Sequence, residues 1–316
     1  QMKISRPRFG SLQFYPRKRA AKQLPSVNWD VIKSDLEGVL GFITYKVGMA
    51  TAIVKDTTDK SMTSGKKIAL PITVLEAPNM KIFSIRFYKN KRVVKDFVVS
   101  NDKELKKILK TPKNVSDLSK IPEDYDDIRA IVYSIPKTTG IKKTPDIIEV
   151  GISAKNKLEF VKSLINKEIA LKDFLKYGLL DVRGLTKGYG LSGTVKRFGI
   201  SLKQHKSEKG RRRPGSLGPW HPARVTFRTP MAGQLGMFSR VNYNNKVIGS
   251  GDIKEKDINP KSGWKHFGRI NNNYLLIAGS VQGPPKRQIL LTPSFRATKE
   301  QAKKKYELIE LVGGTK

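Results

Sequence analysis

The chain has no cysteine, three histidines and 27 acidic residues among 316. Without cysteine there is no disulfide, no thiolate zinc site and no cysteine nucleophile. The histidines His205, His221 and His266 are widely spaced and lack a neighbouring carboxylate pair, so neither a zinc site nor a general base is expected. No apolar run reaches the roughly eighteen residues that a membrane span requires. The N-terminal stretch QMKISRPRFGSLQFYPRKRAAK is basic but has no apolar core segment, which argues against a secretory signal. The most informative scarcity is that of acids. Against 62 Lys and Arg they leave a formal net charge of +35, a balance that excludes most metabolic enzymes and is tolerated best beside a polyanion, either nucleic acid or an anionic membrane surface.

What is present is unevenly distributed. Residues 1–34 hold 8 basic residues and one acid, and residues 183–246 hold 14 basic residues and the single acid Glu208, net charges of +7 and +13. Residues 96–180 carry 16 basic and 13 acidic residues, only +3 over 85 positions. Two concentrated basic blocks around a near-neutral one predict anion-binding arms on an ordinary globular body.

The body reads as mainly β. Residues 39–56 and 68–77 are rich in β-branched and apolar side chains between turn residues. Further strands are expected at 82–88, 93–99, 128–135, 147–152, 179–185, 247–253, 273–280 and 286–292. Helices are expected at 101–110, capped by Asn101 and Asp102, at 154–165, at 168–177 and at 298–305. Strands in both halves with helices grouped in the middle predict a β-barrel (39–80, 179–202 and 237–295) interrupted by an α+β insertion at 81–178. Outside it lie a basic N-terminal extension (1–38), a basic loop (203–236) and a C-terminal tail (296–316).

The loop contains Pro214, Pro219, Pro222 and Pro230, which exclude a continuous helix or a central strand. Folded back as one hairpin, its limbs of about seventeen residues would carry the tip about 50 Å from the base. Lys203, Lys206, Lys209, Arg211, Arg212, Arg213, Arg224 and Arg228 supply phosphate-neutralising charge, and Trp220, His221 and Phe227 supply flat faces on which unpaired bases could stack. The alternatives are a solvated charge run and a Trp220 that plugs a local cluster. The N-terminal arm repeats this chemistry with Arg6, Arg8, Arg17, Lys18 and Arg19 among aromatics and prolines; a disordered tail or an import signal is the other reading.

Gly188, Gly190 and Gly193 match a dinucleotide-binding G-x-G-x-x-G. That reading also needs a helix after the third glycine and an acid about twenty residues on. Residues 194–199 do not predict a helix, and Glu208 lies among lysines. The acids Glu123, Asp124, Asp126 and Asp127 lack a calcium-loop pattern and are expected to be solvated.

The strings GLTKGYGLSGTVKRFGI, RRRPGSLGPWHPARVTF and MAGQLG closely resemble the universal large-subunit ribosomal protein L three family, in its archaeal and eukaryotic branch. The likeness extends to SRPRFGSLQFYPRKR, GFITYKVGM, ITVLEAPNM and INPKSGWKHFGRINNNYLLIAGSVQGPPKRQILL, and is weakest over 81–178. The resemblance implies a barrel of the type shared by translation proteins, with extensions buried in ribosomal RNA (rRNA) and the Trp220 loop approaching the peptidyl-transferase centre. The length and the lack of a long basic C-terminal tail favour an archaeal protein. Lys187, Lys196, Arg197 and Gln234 match family motif positions expected to contact RNA; Arg240, Lys261, His266, Lys286 and Arg287 complete the candidate rRNA-binding set. The expectation is a cytoplasmic, non-enzymatic constituent of the large ribosomal subunit, with large-subunit rRNA and neighbouring ribosomal proteins as partners. No cofactor, metal, membrane or small-molecule substrate is expected. The rivals are an RNA-modifying enzyme and a chromatin or general DNA binder.

Overall fold

The computed structural model describes residues 11–116, 121–122, 124–206 and 209–313, so Arg6, Arg8, Glu123 and Glu208 lie outside the described residues. Two compact units divide the chain: Gln1–Lys22 with Leu185–Ser239, and Gln23–Gly184 with Arg240–Lys316.

The larger unit begins with β1 (Gly38–Val39), β2 (Phe42–Asp56), β3 (Lys67–Glu76), β4 (Met80–Lys89), β5 (Arg92–Val98), β6 (Asp127–Ser134) and β7 (Ile147–Ser153). Helices α1 (Lys157–Leu164) and α2 (Leu171–Phe174) lead into β8 (Leu179–Leu185). In the smaller unit are β9 (Leu191–Ser192), α3 (Thr194–Phe198) and β10 (Gly233–Gln234). The chain then continues through β11 (Ser239–Asp252), β12 (Asn273–Ala278), β13 (Gln288–Pro293), α4 (Lys299–Lys303) and β14 (Tyr306–Val312).

Strand β13 hydrogen-bonds to β8 on one side and to β2 on the other, which closes the order β13-β8-β11-β12-β3-β2 into a ring. Closure leaves those six strands without a free edge. The first six residues of β2 are all buried, whereas from Met49 onward exposed or partly exposed and buried residues alternate. A strand covered on both faces reads as a continuous apolar run, and one covered on a single face alternates. The doubly covered half is packed against a second sheet, of order β1-β7-β6-β4-β5. One continuous core holds Phe42, Ile43, Leu275 and Leu290 from the barrel together with Ile85, Phe87, Ile128 and Val150 from that sheet. A smaller cluster around Val54, Val74, Trp264 and Leu276 fills the other half.

The second sheet neutralises its own charge. Arg86 forms a paired contact with Asp96 at 2.7 Å and reaches Glu149 at 3.0 Å, while Arg129 bridges Glu149, Asp127 and Asp30.

Several expectations need correction. The helix predicted at 101–110 is a single 3-10 turn at Leu105–Lys107. Its intended caps are engaged elsewhere, since Asn101 donates to the Lys113 carbonyl and Asp102 accepts from the Tyr133 hydroxyl; Leu105 alone on that turn is buried. The helix expected at 298–305 is present as Lys299–Lys303, but the tail also carries a strand that was not expected, Tyr306–Val312, which forms β14 on the outer half of β2. Residues 1–38 are not one extension: Leu24, Trp29 and Ile32 are buried in the main core. Strand β11 starts eight residues before the predicted 247, through a half-buried polar stretch without the apolar pattern that marks a strand.

Candidate RNA interface

The smaller unit holds 18 basic residues and one acid, Glu208, a net charge of +17 over 77 residues. Its cations have no other carboxylate inside the unit to pair with. Helix α3 belongs to this unit. Residues 194–198 do form a helix, contrary to expectation, because Gly193 provides the extended entry and Gly199, at φ 66°, provides the left-handed exit, its N–H bonding the Val195 carbonyl at 2.8 Å. The dinucleotide reading still fails: the helix is one and a half turns long, and the position twenty residues past Gly193 is Arg213.

Arg197, on the last turn of α3, ties three segments together. Its Nε donates to the Gln234 carbonyl at 3.0 Å, Nη1 to the Met231 carbonyl at 2.8 Å and Nη2 to the Arg17 carbonyl at 3.3 Å. Arg17 returns a bond from Nη1 to the Arg197 carbonyl at 3.3 Å and lays its guanidinium 4.4 Å from the Phe198 ring centroid. Burial, followed by the nearby positive Arg17, pulls the Arg197 pKa below its ordinary value. Nearby, Tyr15 meets Phe227 edge to face at 5.6 Å, and the Ala20 N–H bonds the Met237 carbonyl at 2.9 Å. The two basic arms are thus one body. Sequence reasoning treated them as separate, since 180 positions part Arg17 from Arg197.

The return strand leaves no room for a side chain at Gly236. Its φ is +80°, and a Cβ there would fall 1.8 Å from the Lys187 carbonyl oxygen. That approach seats β10 on β9 with Gly233 opposite Ser192. Gln234 turns its amide inward, donating to the Leu235 and Gly236 carbonyls. Lys196 points outward with its ammonium 4.4 Å from the Tyr189 ring. Tyr15 and Tyr189, absent from the expected site, belong to it as platforms for these cations; their places among basic residues were the available signal.

The long loop is closed into smaller loops by its own hydrogen bonds. Lys203 and Arg211 close one small loop by reciprocal bonds, Lys203 N–H to the Arg211 carbonyl and Arg211 Nε to the Lys203 carbonyl, both 3.0 Å. The Thr194 hydroxyl then holds the Arg212 carbonyl at 3.3 Å. A second loop is closed where the Thr229 hydroxyl donates to the Leu217 carbonyl at 2.9 Å. Backbone bonding near residues 203, 212 and 217 therefore shortens the reach that a fully extended limb would give. At the second loop Trp220 is 88% exposed and Phe227 65% exposed, so Trp220 plugs no core. His205, Lys206, Lys209, Arg211, Arg212, Arg213, His221, Arg224 and Arg228 are exposed, as are Lys18, Arg19 and Lys187.

A family model described as Ribosomal protein L3 matches residues 1–97 and 86–312. The chain is 37% identical over 314 residues to the "Large ribosomal subunit protein uL3" of Methanocaldococcus jannaschii, covering 93% of each sequence. It is 38% identical over 317 residues to the protein of that name from Methanococcoides burtonii, covering 92% of this chain and 93% of the relative. This chain belongs to the ribosomal protein L3 family.

Five candidate contacts of this L3-family chain lie in the larger unit instead. Lys261, His266 and Lys286 are exposed on loops, the latter two in left-handed backbone at φ 61° and 68°. Arg240 is half-buried, as is Arg287, which donates to Gln23 at 3.1 Å and whose pKa burial pulls down. Among the described residues no cluster of three or more His, Asp or Glu could hold a metal ion, and no helix is long and apolar enough to cross a membrane.

Proposed function

We propose that this L3-family chain binds large-subunit rRNA through the smaller unit, whose exposed Lys and Arg side chains neutralise phosphates so that RNA helices can pack against it. Family membership makes it a structural, non-enzymatic constituent of the large ribosomal subunit, and so of the cytoplasmic ribosome. The observation that carries the reading is the net charge of +17 over 77 residues with a single acid. A basic surface of that density is the footprint of a phosphate-binding protein. The same reading makes Arg197 an internal brace for the N-terminal arm, while its neighbours meet the RNA. It also gives the exposed Trp220 loop the part implied by the motif resemblance, supporting the rRNA of the peptidyl-transferase centre, and gives the basic unit a part in nucleating subunit assembly.

Replacing Arg211, Arg212 and Arg213 by Ala tests the proposal. Each lost phosphate contact lowers the slope of log affinity against log salt by about 0.7–0.9, so the triple variant should lose about 2. An unchanged slope would overturn the assignment. Duplex DNA competing as well as an rRNA fragment would favour a general nucleic-acid binder.

A further inference from the structure

Beside α3 the smaller unit has an open hollow of about 460 Å³. Its walls are aliphatic: Val195 from α3, Pro214 and Leu217 from the outgoing limb, Met231 and Ala232 from the return limb. Arg212 and Arg213 also line it. Leu217 and Met231, both lining the hollow, are 39% and 45% exposed. The volume lies within the range that accommodates a small organic ligand.

We infer that this hollow receives an unpaired nucleobase of large-subunit rRNA, extruded from its stack, with the flanking phosphates held by Arg212 and Arg213. The inference rests on the rRNA-binding reading and adds a base site to a surface otherwise described by charge. Three observations select this occupant. The walls offer apolar contact with few hydrogen-bonding groups, which accepts the face of a base and reads no particular sequence. Arg212 and Arg213 are among the residues lining the hollow, and guanidinium geometry matches phosphate with paired donors. The surrounding charge of +17 repels a basic peptide and attracts a nucleotide. The wall is also fixed in place, because the Thr194 hydroxyl holds the Arg212 backbone.

Filling the hollow without changing charge tests the inference. In the full-length protein, Ala232→Phe should weaken binding of an rRNA fragment roughly tenfold or more, the loss expected when a group buried against apolar walls is expelled, and leave the salt slope at its wild-type value. Affinity for an abasic oligonucleotide, which offers phosphates alone, should not change. Wild-type affinity of Ala232→Phe for the rRNA fragment would overturn the inference while leaving the rRNA-binding reading intact. An equal loss toward the abasic strand would overturn it as well, since phosphate contacts would then have been damaged. A photo-crosslinking amino acid at position 232 in assembled large subunits should join to rRNA; crosslinks only to a neighbouring protein would assign the hollow to a peptide instead.

Discussion

Arg197→Lys separates the bracing of the basic unit from its charge. The guanidinium holds three carbonyls, those of Arg17, Met231 and Gln234. In a half-solvated setting each such bond contributes about 1 kcal/mol net, so the brace is worth about 3 kcal/mol. A lysine keeps the positive charge but reaches about one of the three carbonyls, a loss of about 2 kcal/mol, equivalent to roughly thirtyfold in the opening equilibrium. Native-state amide exchange reads this directly. The amides of Ala20, Tyr189 and Leu235 donate to Met237, Leu235 and Gly190, each at 2.9 Å, and all three span segments that the brace joins. Their protection should fall about thirtyfold, while amides of β3 and β12 keep theirs. The salt dependence of rRNA binding should stay unchanged, because no charge is lost. Wild-type protection at Ala20 and Leu235 would refute the brace.

Gly236→Ala places a methyl on the Lys187 carbonyl and imposes left-handed backbone on a residue with a side chain; it should cost the smaller unit about 2–3 kcal/mol, seen as faster proteolytic cleavage within 185–239. Trp220→Ala removes a ring that is 88% exposed, so thermal stability should stay within about 0.5 kcal/mol of wild type; a large drop would return the ring to a core role. Glu76 is buried, accepts from the Asn271 and Asn272 amides, and has its pKa raised by desolvation from 4.5 to about 7. The folded state therefore holds a proton that the unfolded chain releases near 4.5, and stability from this group is fully present below that value and is lost as pH rises toward 7. The stability of wild type relative to Glu76→Gln should accordingly decline between about pH 4.5 and 7 and then level off; a pH-independent difference would remove Glu76 as the cause.

The barrel strands were legible because their chemistry is local. The aromatic and β-branched residues Phe42, Ile43, Tyr45 and Val47 and the alternation after them mark β2, and Ile72, Val74 and Leu75 mark β3, whatever they pair with. The strand β14 was obscured by the lysines of α4 before it and by its own Glu307 and Glu310, which suit an exposed edge. The helix at 101–110 failed through competition, its capping side chains being taken by Lys113 and Tyr133. In the site, composition located the cations, and motif resemblance placed Lys187, Lys196, Arg197 and Gln234 among them. What no local pattern could supply was the division of labour: Arg17 and Arg197 hold the unit together, and Lys18, Arg19 and Lys196 face outward. That distinction depends on contacts made across 180 positions.

The pairing of Arg17 with Arg197 also has a consequence in time. At roughly 5–20 residues per second, the ribosome that makes this chain needs about 10–40 s to travel from one arginine to the other. Once the arm has left the ribosome, Arg17 waits for a comparable interval without the α3 helix that will seat it. A newborn chain therefore passes through a stage in which its first cations can meet any RNA nearby, and only the synthesis of residues 197–237 gives that segment its seat. Nascent chains arrested before residue 197 should accordingly leave the arm open to protease, and chains arrested after 237 has emerged should protect it.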